Sequence, residues 1–305
     1  MKSLIAFLRL IRWPNLLFIV LTQLLFYSCV YLPLFANPQP NRLAWLIAAS
    51  VFIAAAGYII NDYFDLNIYQ INKPEKNVFV RLIHRRWAII WHFLLSLAGI
   101  VCTAFGVGLH KWYLVLANIF CVALLWFYST SFKRQFLIGN IVIGLLTAWT
   151  VLILFFAFTA PGNAFHANSF ATIKFFRIAF LYAGFAFTST LIREAIKDME
   201  DLEGDARLGC RTLPIVAGVR TTRIYVAVWI VVLTAALLIL QLYILQFRWW
   251  FAVFYCILLV VVPLVYLLVK LFKANKRADF TILSKLSKAV MLTGIVSMIF
   301  FYIYF

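Results

Sequence analysis

Of the ten acidic residues in this chain of 305, all but Asp279 lie in two short stretches. The first holds Asp62, Asp65 and Glu75, with Asn61 ahead of them; the second holds Glu194, Asp198, Glu200, Asp201, Glu203 and Asp205. Asn61 and Asp65 are four residues apart and share a face if that stretch is helical, with Asp62 beside them. Glu194, Asp198, Asp201 and Asp205 follow steps of four, three and four, which makes one stripe on a helix, and Gly204 is expected to end that helix. Clustered carboxylates with an amide are hard oxygen ligands. They suit Mg²⁺, which keeps waters and shares its shell with substrate phosphates. Lys73, Lys76, Lys133, Arg193 and Lys197 accompany the acids. Carboxylates, Mg²⁺ and cations together make a clamp for a diphosphate. Two acid sets so far apart in sequence suggest one site assembled from both. The four histidines are not arranged with the acids, and the five cysteines are scattered without paired spacing, so the pattern is not one for a soft metal or redox chemistry. No Ser-His-Asp or Cys-His arrangement argues for a covalent intermediate.

The elements that must position these residues are read from hydropathy. The chain is 66% hydrophobic with a mean hydropathy of +0.99. Apolar runs long enough to cross a bilayer recur throughout, at roughly 15–34, 43–62, 87–109, 113–130, 136–158, 175–197, 222–245, 249–270 and 288–305. The expectation is a single integral-membrane domain over residues 1–305. It is all-α, a polytopic bundle of nine transmembrane helices around a central substrate chamber. A β-barrel would need alternating short segments, which are missing. Residues 1–14 read as a basic, amphipathic interfacial helix. The net charge of +17 does not point to nucleic acid. With the N-terminus in the cytoplasm, every Lys and Arg but Arg42, Lys111, Lys174, Arg177 and Arg248 falls on the cytoplasmic side, a strong positive-inside bias. Both acid sets then close even-numbered spans and reach that same membrane face. Asp62-x-x-Asp65-Leu66 and Asp198-x-x-Asp201-Leu202 echo each other faintly, as a duplicated helical unit would. Carboxylates at span ends beside Lys and Arg suit a phosphate better than the midplane ion site of a transporter.

The strings around the acids carry a resemblance. Asn61-Asp62-x-x-Asp65 followed by Asn72-Lys73-Pro74 resembles the first motif of the UbiA-type intramembrane prenyltransferases. Lys197-Asp198-x-x-Asp201-x-x-Gly204-Asp205, followed by Gly209-x-Arg-Thr-Leu-Pro-Ile215, resembles their second. Tyr128-Ser129 with Lys133 resembles the loop after their fourth span, and Arg12-Trp-Pro-Asn15 the start of their first. The resemblance implies that Asn61, Asp62 and Asp65, and Asp198, Asp201 and Asp205, bind Mg²⁺. It gives Asp65, Asp201 and Lys133 the catalytic roles. Lys73, Lys76, Arg193, Lys197, Tyr128 and Asn15 would bind substrate. One position departs: Tyr69 stands where the family usually has a further aspartate, and Lys76 replaces the usual arginine, a point charge in place of a fork. The implied reaction moves a polyprenyl group from a polyprenyl diphosphate to a lipophilic acceptor among membrane lipids. The form of the second motif resembles the branch whose acceptor is a prenylglycerol phosphate; an aromatic quinone precursor is the alternative. A carbocation formed this way needs a dry, aromatic chamber. Tyr58, Tyr63 and Tyr128 are expected to line it because they neighbour the motifs.

Overall fold

The computed structural model describes residues 7–65, 85–159 and 170–305. Among these residues the chain is all-α, without strands. Nine helices are long and apolar enough to cross a membrane: α1 Trp13–Phe35, α2 Pro40–Phe64, α3 Arg86–Val107, α4 Trp112–Thr130, α5 Ile138–Phe158, α6 Phe170–Glu200, α7 Gly218–Leu245, α8 Trp250–Lys273 and α9 Arg277–Tyr304. Their flanks carry large apolar side chains far more exposed than water would allow, such as Phe251 at 77% and Leu242 at 70%, which fits an integral-membrane protein. The helices fall into two compact units. The first comprises Met1–Tyr27, Asn37–Lys133 and Thr150–Phe176; the second comprises Ser28–Ala36, Arg134–Trp149 and Arg177–Phe305.

Three expectations about local structure change. Helix α9 begins at Arg277, eleven residues before the apolar run, so Lys285 and Lys288 are helical rather than loop. The cause is Asp279: its Oδ2 accepts the backbone N–H groups of Asn275 (3.0 Å) and Lys276 (2.9 Å), capping donors that a helix start otherwise leaves unpaired. The isolated tenth acid is therefore a helix cap. The second acid stretch breaks at Asp201, not Gly204; Gly204 lies inside a short helix, Leu202–Arg207. Gly209, at φ 69°, provides the left-handed turn that ends it. The stripe survives the break, because Asp201 N–H bonds to Lys197 O (2.9 Å) and Asp205 N–H to Asp201 O (3.1 Å), both at helical spacing. Finally, residues 7–10 form a helical turn that docks into protein. Leu10, 1% exposed, packs on Ile59 of α2 and Ala88 of α3.

Within the first unit, polar ties hold apolar helices together. Gln23 of α1 donates to Ser50 Oγ of α2 (2.8 Å) and to Thr150 O of α5 (2.9 Å). Gly99 of α3 lets α2 approach so closely that a Cβ there would lie 2.6 Å from Ile53 and 3.1 Å from Ala49 O. Arg42 and Lys111, two of the cations that the charge pattern left on the outer face, serve helix ends. Arg42 Nε donates to Gly106 O at the end of α3 (3.1 Å). Lys111 Nζ donates to Phe156 O (2.9 Å), Ala157 O (2.6 Å) and Thr159 O at the end of α5. Burial, then the nearby Arg42 charge, pushes the Lys111 ammonium down to about 8. The replacement Lys111→Met relieves that charge but strands the Phe156 and Thr159 carbonyls at about 1 kcal/mol or more each and leaves Ala157 O only Arg42 Nη1 at 3.4 Å, so a net loss of about 2 kcal/mol is expected. Thermal unfolding in detergent checks it; an unchanged midpoint would show the cap to be idle.

In the second unit, α6, α7, α8 and α9 share one apolar core that includes Ile192, Ile196, Ile230, Leu264, Leu267 and Leu283. Pro263 in α8 lacks an N–H and would clash with the carbonyl of Leu259. The turn there widens to π geometry over Ile257–Val261, and the hydroxyl of Thr293 on α9 bonds to the freed Leu259 carbonyl (2.8 Å). Helices α6 and α9 run antiparallel at a constant register. Tyr182 Oη meets Ser297 Oγ at 2.8 Å, Gly294 leaves room for the Phe185 ring, and Arg277 Nη2 lies 3.5 Å from Asp201 Oδ1.

Candidate functional site

In the first unit the acids sit where α2 ends. The last turn closes with Asp65 N–H on Asn61 O (3.0 Å), and the same spacing places the Asn61 amide Nδ2 3.0 Å from Asp65 Oδ2. Asp65 is only 3% exposed, and Lys133 Nζ pairs with its Oδ2. Lys133 reaches it from the 3₁₀ turn Phe132–Arg134 that follows α4. Asp62, one residue after Asn61, pairs with Arg12 Nη2 at 2.6 Å. The Arg12 guanidinium also lies 5.2 Å from the centre of the Tyr58 ring. Arg12 is held at φ 51°, a left-handed conformation that costs a non-glycine residue about 1 kcal/mol or more. The docked turn before it and Pro14 after it fix that conformation and aim the side chain at α2. Arg12 entered the sequence reading only as a topology signal and part of a start motif; its pairing with a residue fifty positions away has no local signature.

Asn15 lies in the first turn of α1, its backbone N–H on Arg12 O (2.8 Å). Tyr128 lies half-buried in the last turn of α4. Tyr63 packs edge-on against Phe64, with ring centres 5.1 Å apart. Lys73, Lys76, Glu75 and Tyr69 lie outside the described residues.

In the second unit the acids run down the end of α6 and into Leu202–Arg207. Glu194 is buried and accepts from two cations, Arg193 Nη1 at 2.7 Å and Lys197 Nζ at 2.9 Å. Two of the expected diphosphate binders thus rest on one carboxylate. Asp198 Oδ2 accepts from Asn140 Nδ2 of α5 (2.9 Å). Asp201 lies at the break between the helices, and Asp205 is buried one turn on. The Gly209–Ile215 string holds this turn in place: Cys210 N–H bonds to Asp205 O (3.0 Å) and Arg211 N–H to Arg134 O (2.7 Å). Asn140, Arg277 and Lys288 join this set from other helices, and nothing in the acid motifs announced them.

The donor set fits Mg²⁺ on one structural ground. Asn61 Oδ1 is buried without a hydrogen-bond partner, a hard oxygen next to an ionisable carboxylate. Among the described residues no three Asp, Glu, His or Cys side chains converge into a ready-made metal cage. Asp62, Asp65 and Glu194 are each paired with a lysine or arginine, groups whose chemistry also suits a phosphate.

A model of the UbiA prenyltransferase family matches residues 11–304. The digeranylgeranylglyceryl phosphate synthase of Haloquadratum walsbyi is 36% identical over 173 residues, 57% of this chain and 54% of that protein. The protein of the same name from Natronomonas pharaonis is 33% identical over 195 residues, 64% of this chain and 63% of that one. The matched region thus spans 54% and 63% of the length of these relatives. A solved structure from work on digeranylgeranylglyceryl phosphate synthase in membranes superposes with a TM-score of 0.66 at 24% identity, covering 98% of this chain and 99% of its own. A UbiA homologue from Archaeoglobus fulgidus, bound to GPP and Mg²⁺, superposes with a TM-score of 0.61 at 14% identity, covering 96% and 99%. At these identities the two structures speak for the fold.

Proposed function

The chain belongs to the UbiA prenyltransferase family, and on that premise we propose that it is a Mg²⁺-dependent enzyme. It moves a polyprenyl group from a polyprenyl diphosphate to a lipophilic acceptor in the membrane, with a prenylglycerol phosphate as that acceptor. The observation that carries the reading is the group at the end of α2: a buried carboxylate, an amide oxygen without a partner, and the Lys133 ammonium on the same carboxylate. Metal and diphosphate both need such a group, and an inert helix end does not. The relatives named as digeranylgeranylglyceryl phosphate synthases support the choice of acceptor. The family match runs through both units, which supports treating residues 1–305 as one functional domain.

Asn61, Asp62 and Asp65 would hold Mg²⁺ in the first unit, and Asp198, Asp201 and Asp205 would do so in the second. When bound, Mg²⁺ supplies charge to the diphosphate oxygens and so favours departure of pyrophosphate. Lys133, Arg193 and Lys197 add direct cationic hydrogen bonds to the same leaving group, with Lys73 and Lys76 as further cations. As the allylic C–O bond breaks, its electron pair leaves with pyrophosphate, and an acceptor hydroxyl closes on the carbon and gives up its proton. Apolar helices keep water from competing. The positive-inside pattern supports placing the acids at the cytoplasmic face.

Purified protein supplied with labelled geranylgeranyl diphosphate and geranylgeranylglycerol phosphate should give a prenylated product that EDTA abolishes and Mg²⁺ restores. Product with 4-hydroxybenzoate or homogentisate alone would move the assignment to quinone precursors. No Mg²⁺-dependent product with any acceptor would overturn the enzyme assignment.

A further inference from the structure

At the other end of α2 from the acids, the first unit has a cavity that the proposed reaction does not use. The run of helix from Arg42 to Asp62 is about 30 Å long. The cavity is open, holds about 440 Å³, and is lined by Asn41, Arg42, Trp45, Phe105, Gly106 and His110 among others. Pockets that take small ligands span about 300–1,000 Å³. Its side chains meet at the end of α3. Arg42 Nε donates to Gly106 O (3.1 Å). Trp45 lies so close that a Cβ on Gly106 would meet Trp45 Cβ at 3.1 Å. Gly108, at φ 73°, turns the chain, and His110 folds back over it: a Cβ there would meet the imidazole Nδ1 at 3.0 Å. A guanidinium, an indole and an imidazole therefore crowd the segment from Gly106 to Gly108.

Among the described residues the partners of Arg42 are two carbonyls, Gly106 O and Ala157 O, reached through Nε and Nη1; Nη2 takes neither. Carbonyls accept hydrogen bonds but do not cancel the charge. The described carboxylates of the first unit, Asp62 and Asp65, both lie at the far end of α2. Lys111 is near enough that, after burial, the Arg42 charge pushes its ammonium down. Two cations close together in an apolar setting repel, and an anion beside them relieves that repulsion. Trp45 and Phe105, 42% and 68% exposed, stack on the same cavity with ring centres 5.3 Å apart. A water-borne anion has no use for that wall. A lipid does, because its chains begin where its headgroup ends, and tryptophan is favoured at that depth. We infer that the cavity of Arg42, Trp45, Phe105 and His110 binds the phosphodiester headgroup of an anionic membrane phospholipid. The unused edge of the Arg42 fork would take phosphate oxygens, His110 would add a hydrogen bond, and the aromatic pair would flank the first carbons of the acyl chains.

The test uses the full chain in detergent with phosphatidylglycerol that carries a photoactivatable group near the start of an acyl chain. Labelled peptides are mapped after irradiation. Labelling is expected in the segments around Trp45 and Phe105, and the matching phosphatidylcholine should label them at least about fivefold less, the worth of a partly exposed ion pair. Arg42→Gln and, separately, His110→Gln should lower phosphatidylglycerol labelling there by a similar factor. His110 is exposed, so its replacement leaves the helices intact. Unchanged labelling of the basic segments elsewhere in the same sample shows that each variant is folded. Equal labelling by the two lipids, or variants labelled like the parent around Trp45 and Phe105, overturns the site. If inorganic phosphate at the concentration of the lipid removes the labelling, the cavity reads a free anion and the lipid assignment falls. Absence of prenyl transfer would leave this result untouched, because no residue of the acid motifs takes part.

Discussion

Asp65→Asn lowers turnover at saturating substrate and Mg²⁺ by about 10³-fold or more, and Asp201→Asn does the same, while both proteins elute as the parent does. The substitution keeps the side chain's shape and its ability to accept from Lys133 and Asn61. What disappears is the negative charge on a residue that is 3% exposed at the end of α2. A group aimed at charge that develops only as the leaving group departs typically contributes a factor of about 10² to 10³, and a metal that depends on it adds to that. Under the proposed function both acid sets serve the same step, so loss of either should be close to complete, and the double variant should be little worse than each single one. Initial rates of labelled product formation measure this. Activity within tenfold of the parent in either variant would remove that residue from the reaction.

Lys133→Met separates two consequences that usually go together. The Lys133 ammonium pairs with Asp65 Oδ2, on a carboxylate that under the proposed function would hold Mg²⁺. Removing it takes away a competitor, so half-saturation by Mg²⁺ should move to lower concentration, by several-fold for a partly shielded ion pair. The same change deletes a direct hydrogen bond to the departing pyrophosphate, so kcat should fall by about 10²-fold. Opposite movement of the two parameters distinguishes a shared role from a purely structural one. A structural lysine would leave Mg²⁺ half-saturation unchanged or worsen it. Titration of initial rates with Mg²⁺ at fixed diphosphate gives both numbers.

Much of the fold could be read from composition along the chain because lipid imposes one rule on every span: enough consecutive apolar residues to cross. All nine runs became helices, and the errors fell at their ends, where polar residues decide. Helix α9 starts early because of a single aspartate cap, which hydropathy does not register. The break at Asp201 and the turn at Gly209 depend on backbone geometry rather than on the mere presence of a glycine. For the acid sets, neighbours within a helix turn were legible: Asn61 with Asp65, and Glu194 with Lys197. Partners from distant segments were not, as Arg12 on Asp62 and Asn140 on Asp198 show. Those pairings follow from how helices are placed side by side, and a periodic apolar surface leaves that placement open.

Arg42 and Lys111 have an implication for how the first unit is held together. Without α5, Arg42 would keep only Gly106 O of α3, and Lys111 would lose all three of its carbonyls. Once α5 has packed, they are consumed as lids over its last carbonyls. The end of the fifth helix thus ties down the segments that carry Arg42 and Lys111, and two charges in an apolar setting become part of its structure.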